Sequence, residues 1–336
     1  MSRRTAEGTA VLAERHRDLA GLVQDIAKDS PSAFGQEPPA AWPRLVELGL
    51  TAISVAEDAG GSGGTFLDEV VLCEQAALRG LDLPLPTNLV ASWVLGHGDQ
   101  AVTPVTRGLI VDDGFDDGRL VVPWGRWLDE VVLIAADGTV SVAREVNVVT
   151  TGEDLAGGPV DTVALGGVVE VGRWAGQRTT ARARAGILWS AQVLGAARGV
   201  HALARAHVMT REQFGKPLVR IPAVAASVAH MRTGLIQLES VVERAALLAE
   251  RDAAGGFLEA AAICRTIADE VATDVAARGH QLHGAMGITE EYGLGAYTRR
   301  LWSWRDADGG ARRWSELVGR AAREGGESAV WDAFTA

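Results

Sequence analysis

Arg211-Glu212-Gln213-Phe214-Gly215-Lys216-Pro217-Leu218 separates two long helical patterns, and its reading decides the fold. Upstream, Val193, Ala197, Val200, Ala204 and His207 recur at steps of four and three. Downstream, Val224, Val228, Met231, Leu235, Leu238, Val242, Ala245 and Ala249 do the same, a spacing that buries one stripe of a helix against its neighbours. The octapeptide is therefore expected to be a corner between two packed helices, one entering from about Arg182 and the other leaving from about Ala223 to Arg251. Gly215 and Pro217 end helical geometry, because glycine tolerates positive φ and proline biases its predecessor toward extended backbone. The corner offers an arginine, an amide and an aromatic ring, a set suited to a diphosphate and a flat heterocycle. A helix C-terminus decorated with a cation accounts for Arg211 equally well.

The 336 residues are enough for two or three domains, and 47% apolar against 22% charged side chains describe a soluble globular chain. The net charge of −11, from 43 acidic and 32 basic residues, argues against nucleic acid or an anionic membrane as a partner. It leaves room for a local basic pocket. Cys73 and Cys264 both fall inside helical patterns and read as small buried apolar residues. No run suits export or a bilayer span, so a cytoplasmic protein is expected.

Outward from the corner, the chain divides into an N-terminal helical domain (1–100), a small antiparallel β domain (101–178) and a C-terminal four-helix bundle domain (179–336), an α+β fold that is mostly α. The first part holds helices over Met1 to Lys28, Pro39 to Leu48, Asp68 to Leu78 and Leu89 to Leu95. Between them lie an extended stretch from Gly49 to Val55, a loop at Gly60-Gly61-Ser62-Gly63-Gly64 and a break at Pro84 and Pro86. No Gly-Lys-Ser/Thr follows that glycine loop, so it is not a P-loop. Strands are expected over 108–112, 119–123, 130–135, 139–143, 160–165 and 168–171. The bundle continues with helices from Phe257 to about Gln281, Glu290 to Trp304 and Gly310 to Arg323.

With Gln281-Leu282-His283-Gly284-Ala285-Met286-Gly287 after the third bundle helix, and Trp42-Pro43-Arg44-Leu45-Val46-Glu47-Leu48-Gly49-Leu50 before Glu57 and the glycine loop, the chain resembles the acyl-CoA dehydrogenase family over nearly its whole length. It is most similar in plan to the short subunits of heteromeric actinobacterial enzymes of the sterol-degradation type. The resemblance implies FAD as cofactor. Arg211 would reach the FAD pyrophosphate held mainly by a neighbouring subunit, Gln213 and Phe214 would touch the cofactor, and Gln281, Leu282, His283, Gly284 and Ala285 would line its adenosine side. A guanidinium suits phosphate, being bidentate and permanently charged. Ala285 replaces a second glycine, which is tolerable at negative φ.

Several positions depart from the family. Nothing between Ala101 and Val122 matches its Thr-Glu-Pro-x-x-Gly-Ser-Asp segment. Val121 stands for a tryptophan, Pro123 for a threonine and Pro222 for a glutamine. The subunit thus keeps groups that reach a neighbour's cofactor and lacks several that would hold its own. The family's reaction takes a proton α to a thioester while the flavin accepts hydride from the β carbon. Asp308, before Gly309, falls at one family location for the base, with Asp306 a competitor. Ala185 to His207, the other location, holds no acid.

The expected partners are an acyl-CoA or acyl-carrier thioester, an electron-accepting flavoprotein, and either identical subunits or a related one. Three readings stay open: a dehydrogenase subunit using Asp308, a non-catalytic partner completing another chain's FAD site, and a non-redox enzyme on acyl thioesters. Arg299, Arg300 and Arg305 make a basic run whose usual reading is a solvated face, with carboxylate pairing or contact to a CoA phosphate as alternatives, and the histidines show no metal spacing.

Overall fold

The computed structural model describes residues 3–30, 39–98, 100–111, 119–174, 177–251, 257–289 and 292–335. Met1, Pro31, Asp112 and Glu290, which the sequence placed at element ends, lie outside them. Four helices open the chain: α1 (Arg3–Lys28), α2 (Ala41–Glu47), α3 (Phe66–Leu78) and α4 (Leu85–His97). Five strands follow, β1 (Arg107–Val111), β2 (Arg119–Pro123), β3 (Glu130–Ile134), β4 (Thr139–Thr150) and β5 (Val160–Arg173). The chain then forms α5 (Gln177–Thr210), a tiny hairpin of β6 (Glu212–Gln213) and β7 (Lys216–Pro217), α6 (Pro222–Arg251), α7 (Leu258–His283), α8 (Leu294–Asp306) and α9 (Gly310–Thr335).

Helix α5 packs against α6 and α7, and α9 lies on α7, which gives the helical bundle read from the sequence. The repeat of α6 is what buries it: Met231, Leu235, Leu238, Val242, Ala245 and Ala249 are all sealed from solvent. Helix α5 is buried on more than one side because α3 also crosses it. At Gly195 an added Cβ would come within 2.1 Å of the Glu74 carbonyl oxygen, so only glycine permits that approach.

Four sequence expectations are corrected. Gly49 to Val55 is not extended; Leu50–Ala52 is a 3₁₀ turn entered from Gly49 at φ 70°. Pro84 and Pro86 do not break the chain. They start α4, where the first helical turn has no use for their missing N–H groups. The sheet, ordered β1-β3-β4-β5-β2, is not wholly antiparallel, since β1 pairs with β3 in parallel. The strands expected over 160–165 and 168–171 are one, running through Gly166-Gly167 opposite Glu145 on a lengthened β4. The two faces of the sheet serve two cores: Val132, Val140 and Val142 face the helices, whereas Ala143 and Val163 join Val122, Trp124 and Val131.

Charged groups join the helices to the rest. The Arg184 guanidinium of α5 lies between the rings of Phe66 (3.9 Å) and Trp93 (4.2 Å) and reaches Glu69 at 3.3 Å. Arg300, read as solvated, is instead 1% exposed on α8, 3.9 Å from Asp82. Burial pushes the Asp82 carboxyl up to about 6 against the pull of Arg300, helped by the nearby Asp154. The folded chain therefore holds this proton more tightly than the unfolded one. The resulting stability is fully present below the ordinary carboxylate range and is lost as pH rises toward 6, by as much as about 3 kcal/mol. In urea unfolding at pH 4 and pH 7, Asp82→Asn should gain on the parent protein by up to that amount as pH rises; an unchanged difference between the two proteins would contradict this.

Both cysteines are buried, and burial drives the Cys264 thiol up to about 12. No described helix is long and apolar enough to cross a membrane.

Candidate functional site

The corner is a β-hairpin rather than a bare chain break. Glu212 pairs with Pro217 and Gln213 with Lys216, and the two turn residues, Phe214 (φ 55°) and Gly215 (φ 73°), both adopt positive φ. That is the geometry of a two-residue turn matched to strand twist. The Arg211 N–H donates to the His207 carbonyl and the Leu218 N–H to the Arg211 carbonyl, which fixes the hairpin on the end of α5.

At the far end of α7 the chain turns at Gly284 (φ 59°), and Gly284–Ile288 continues as a 3₁₀ helix. Ala285 is not among the non-glycine residues with positive φ, so the substituted methyl costs the backbone nothing.

These two turns, seventy residues apart in sequence, meet around one cleft of about 680 Å³. Arg211 and Gln213 line it from the hairpin side; Gln281, Leu282, His283, Gly284 and Ala285 line it from the other. Phe214 does not. It sits 85% exposed at the hairpin tip, pointing away from its own chain. Three further residues escaped the sequence reading: His207, one turn before Arg211 on α5, Ser227 on α6, and Arg278, one turn before Leu282 on α7.

Both α5 and α7 deliver C-termini to this cleft, and exposed carbonyls there carry partial negative charge. An anion would be held by side chains, not by helix dipoles. Arg278 is occupied by Asp274, with both carboxylate oxygens at 2.8 Å from its Nε. Arg211 has no acidic partner among the described residues, which makes it the cation available to a phosphate. A Cβ built on Gly284 would meet nothing within 4 Å, so the backbone there is open to a ligand.

The floor is aromatic. The His207 and His283 rings stack at 4.7 Å, and Tyr292 closes edge-on at 4.8 Å from His283. His283 Nδ1 lies 2.7 Å from the Gly279 carbonyl and Nε2 3.2 Å from the Tyr292 hydroxyl. Burial lowers the His207 pKa, and His283 and Arg211 lower it further.

Asp308 lies elsewhere. It occupies the turn between α8 and α9 at φ 50°, ψ 43°, followed by Gly309 and Gly310, also at positive φ. Arg265 of α7, 1% exposed, organises that turn: its Nη2 donates to the carbonyls of Trp304 (3.1 Å), Arg305 (2.8 Å) and Ala307 (3.1 Å). Arg265 stands sixteen residues before Gln281 on the same helix, which at 1.5 Å per residue separates the two regions by about 24 Å.

The Asp308 side chain is 23% exposed. Oδ1 accepts from Arg313 at 3.1 Å, and Oδ2 is buried with no hydrogen-bond partner among the described residues. Burial raises its pKa above the ordinary carboxylate value, against Arg182, Arg313 and Arg265. The competing Asp306 is exposed and tied to Arg305 at 2.8 Å. Val121 and Pro123 are exposed on β2, the edge strand next to β5. No group of described residues forms a metal site.

A model described as "Acyl-CoA dehydrogenase, N-terminal domain" matches residues 14–103, and one described as "Acyl-CoA dehydrogenase, C-terminal domain" matches residues 173–320. Acyl-CoA dehydrogenase FadE34 of Mycobacterium tuberculosis is 29% identical over 308 residues, which are 82% of this chain and 41% of that protein, so the chain spans less than half of that relative's length. Acyl-CoA dehydrogenase IpdE2 of Mycolicibacterium smegmatis is 24% identical over 88% of this chain and 90% of its own. Among solved structures, a chain of the ChsE4-ChsE5 complex from Mycobacterium tuberculosis superposes with a TM-score of 0.79 at 20% identity, over 92% of this chain and 97% of the other, which is a likeness of fold. Together, the two matched models take in both helical ends and the hairpin and α7 turns that meet at the cleft, and the chain belongs to the acyl-CoA dehydrogenase family.

Proposed function

We propose that this chain is a subunit of a flavin-dependent acyl-CoA dehydrogenase that desaturates an acyl thioester between its α and β carbons. The observation that carries the reading is the convergence of Arg211 and Gln281 on one open cleft beside Gly284. A free guanidinium, an amide and an uncovered backbone bend suit the diphosphate and adenosine of FAD. FAD supplies the hydride acceptor when bound; the residues of this chain bind, orient and move the proton. Phe214, 85% exposed at the tip of the same hairpin, leaves an uncovered aromatic ring suited to a cofactor shared between subunits.

Asp308 takes the α-proton in this reading. Its buried, unpartnered Oδ2 is the basic atom, and Arg313 on Oδ1 fixes the carboxylate. Aspartate is one methylene shorter than the glutamate usual in the family, so the turn has to carry the carboxylate forward. A second reading, in which the chain only completes the FAD site of a glutamate-bearing partner, is supported by Val121 and Pro123, which offer a flavin ring neither an aromatic face nor a hydroxyl. The solved ChsE4-ChsE5 complex contains two kinds of chain, which supports a mixed oligomer in either reading.

Arg211→Ala tests the cleft. Loss of a charge-assisted phosphate contact is worth about 1.5–3 kcal/mol, roughly a ten- to hundredfold weaker hold on the cofactor. The purified assembly should lose most of its flavin absorbance. Full flavin occupancy in that variant would remove the cleft from the account.

A further inference from the structure

We infer that His207 is a second cationic contact for the diphosphate bound beside Arg211, and that it takes up a proton when the nucleotide binds. The inference rests on the proposed nucleotide role of the cleft and goes beyond it. His207 precedes Arg211 by one helical turn on α5, so both side chains leave the same face of that helix, and both line the cleft. No hydrogen-bond partner holds the His207 ring among the described residues, although the residue is only 9% exposed.

Its stacked neighbour is differently placed. His283 has both nitrogens engaged, Nδ1 donating to the Gly279 carbonyl at 2.7 Å and Nε2 accepting from the Tyr292 hydroxyl at 3.2 Å. Both His283 nitrogens are thus occupied, whereas a proton added to His207 displaces no partner among the described residues. The groups facing His207 are Arg211 on its own helix, His283 from α7 and Tyr292 from the segment after it, with Arg278 across the cleft neutralised by Asp274. Without ligand this surrounding is cationic or neutral, and together with burial it disfavours the imidazolium. A bound diphosphate reverses that balance, because two negative charges then face the His207 ring.

The sign follows. Nucleotide binding raises the His207 pKa, so affinity increases as pH falls from 8 to 6. The probe is ADP-ribose, whose diphosphate has no group titrating in this range, measured by calorimetry on the full-length assembly after its flavin has been removed. Affinity should be roughly three- to tenfold tighter at pH 6 than at pH 8, the size expected for partial uptake of one proton on binding. Both His207→Gln, which keeps a hydrogen-bonding group without the titration, and His207→Phe should flatten that dependence. Arg211→Ala should weaken binding at both pH values. A parent protein with no pH dependence, or a His207→Gln variant with the parental one, overturns the role of His207 while leaving the cleft intact. Absence of ADP-ribose binding, or Arg211→Ala binding as well as the parent, overturns the nucleotide reading and this inference with it.

Discussion

Asp308→Asn is expected to lower thioester desaturation by about 10²–10⁴-fold, the range for loss of a positioned general base, while the assembly keeps its flavin. Asparagine is the appropriate replacement because Asp308 sits in the left-handed region, which asparagine tolerates better than most residues. It also preserves an oxygen for Arg313, so a loss of turnover would report the missing basic atom rather than a collapsed turn. The pH profile carries a second signature. Burial raises the Asp308 pKa, so the carboxylate form needed for proton abstraction is lost on acidification at a pH above the ordinary aspartate value. The acid limb of kcat/KM should lie there in the parent protein, and the residual rate of the variant should lack it. Unchanged turnover in Asp308→Asn would assign the base to a partner chain.

Arg265→Ala should cost about 3–5 kcal/mol of stability, from the loss of charge-assisted hydrogen bonds to backbone carbonyls worth about 1.5–3 kcal/mol each and of its buried stem. The guanidinium serves three carbonyls at once, two at the end of α8 and one in the Asp308 turn, and alanine would leave all three without that donor, the Trp304 carbonyl in a buried setting. The loss extends to packing, because the Arg265 stem and the fully buried Trp314 ring both crowd the space over Gly186. Urea unfolding should show a lower midpoint with an unchanged slope, and Arg265→Lys, with a single cationic centre, should recover part of the difference. An unfolding free energy within about 1 kcal/mol of the parent would mean that the turn holds itself.

Fold and site differ in how far the sequence discloses them. The four-three repeat from Val224 to Ala249 is local information, and α6 (Pro222–Arg251) contains all of it. Pairing between distant segments is not local. The parallel β1-β3 contact, the continuity of β5 through Gly166-Gly167 and the burial of Arg300 by Asp82 depend on groups brought together only by the finished fold. The hairpin was obscured by its residue types: Gly215 and Pro217 signal a break, and Phe214 at positive φ is a turn choice that propensity disfavours.

Arg211 and Gln281 became legible together only through likeness to a family, because nothing in their spacing says that two turns seventy residues apart share a cleft. His207 was visible as the last member of a helical repeat and was read as packing. Its place beside Arg211 emerges once both project from the same end of α5.

The most direct measurement is a structure of the purified assembly with its flavin. The account expects the adenosine diphosphate in the cleft between the Arg211 and Gln281 side chains, with the flavin ring leading into an adjoining chain. A nucleotide bound wholly elsewhere, or a cleft filled by the side chains of a neighbour, would contradict it.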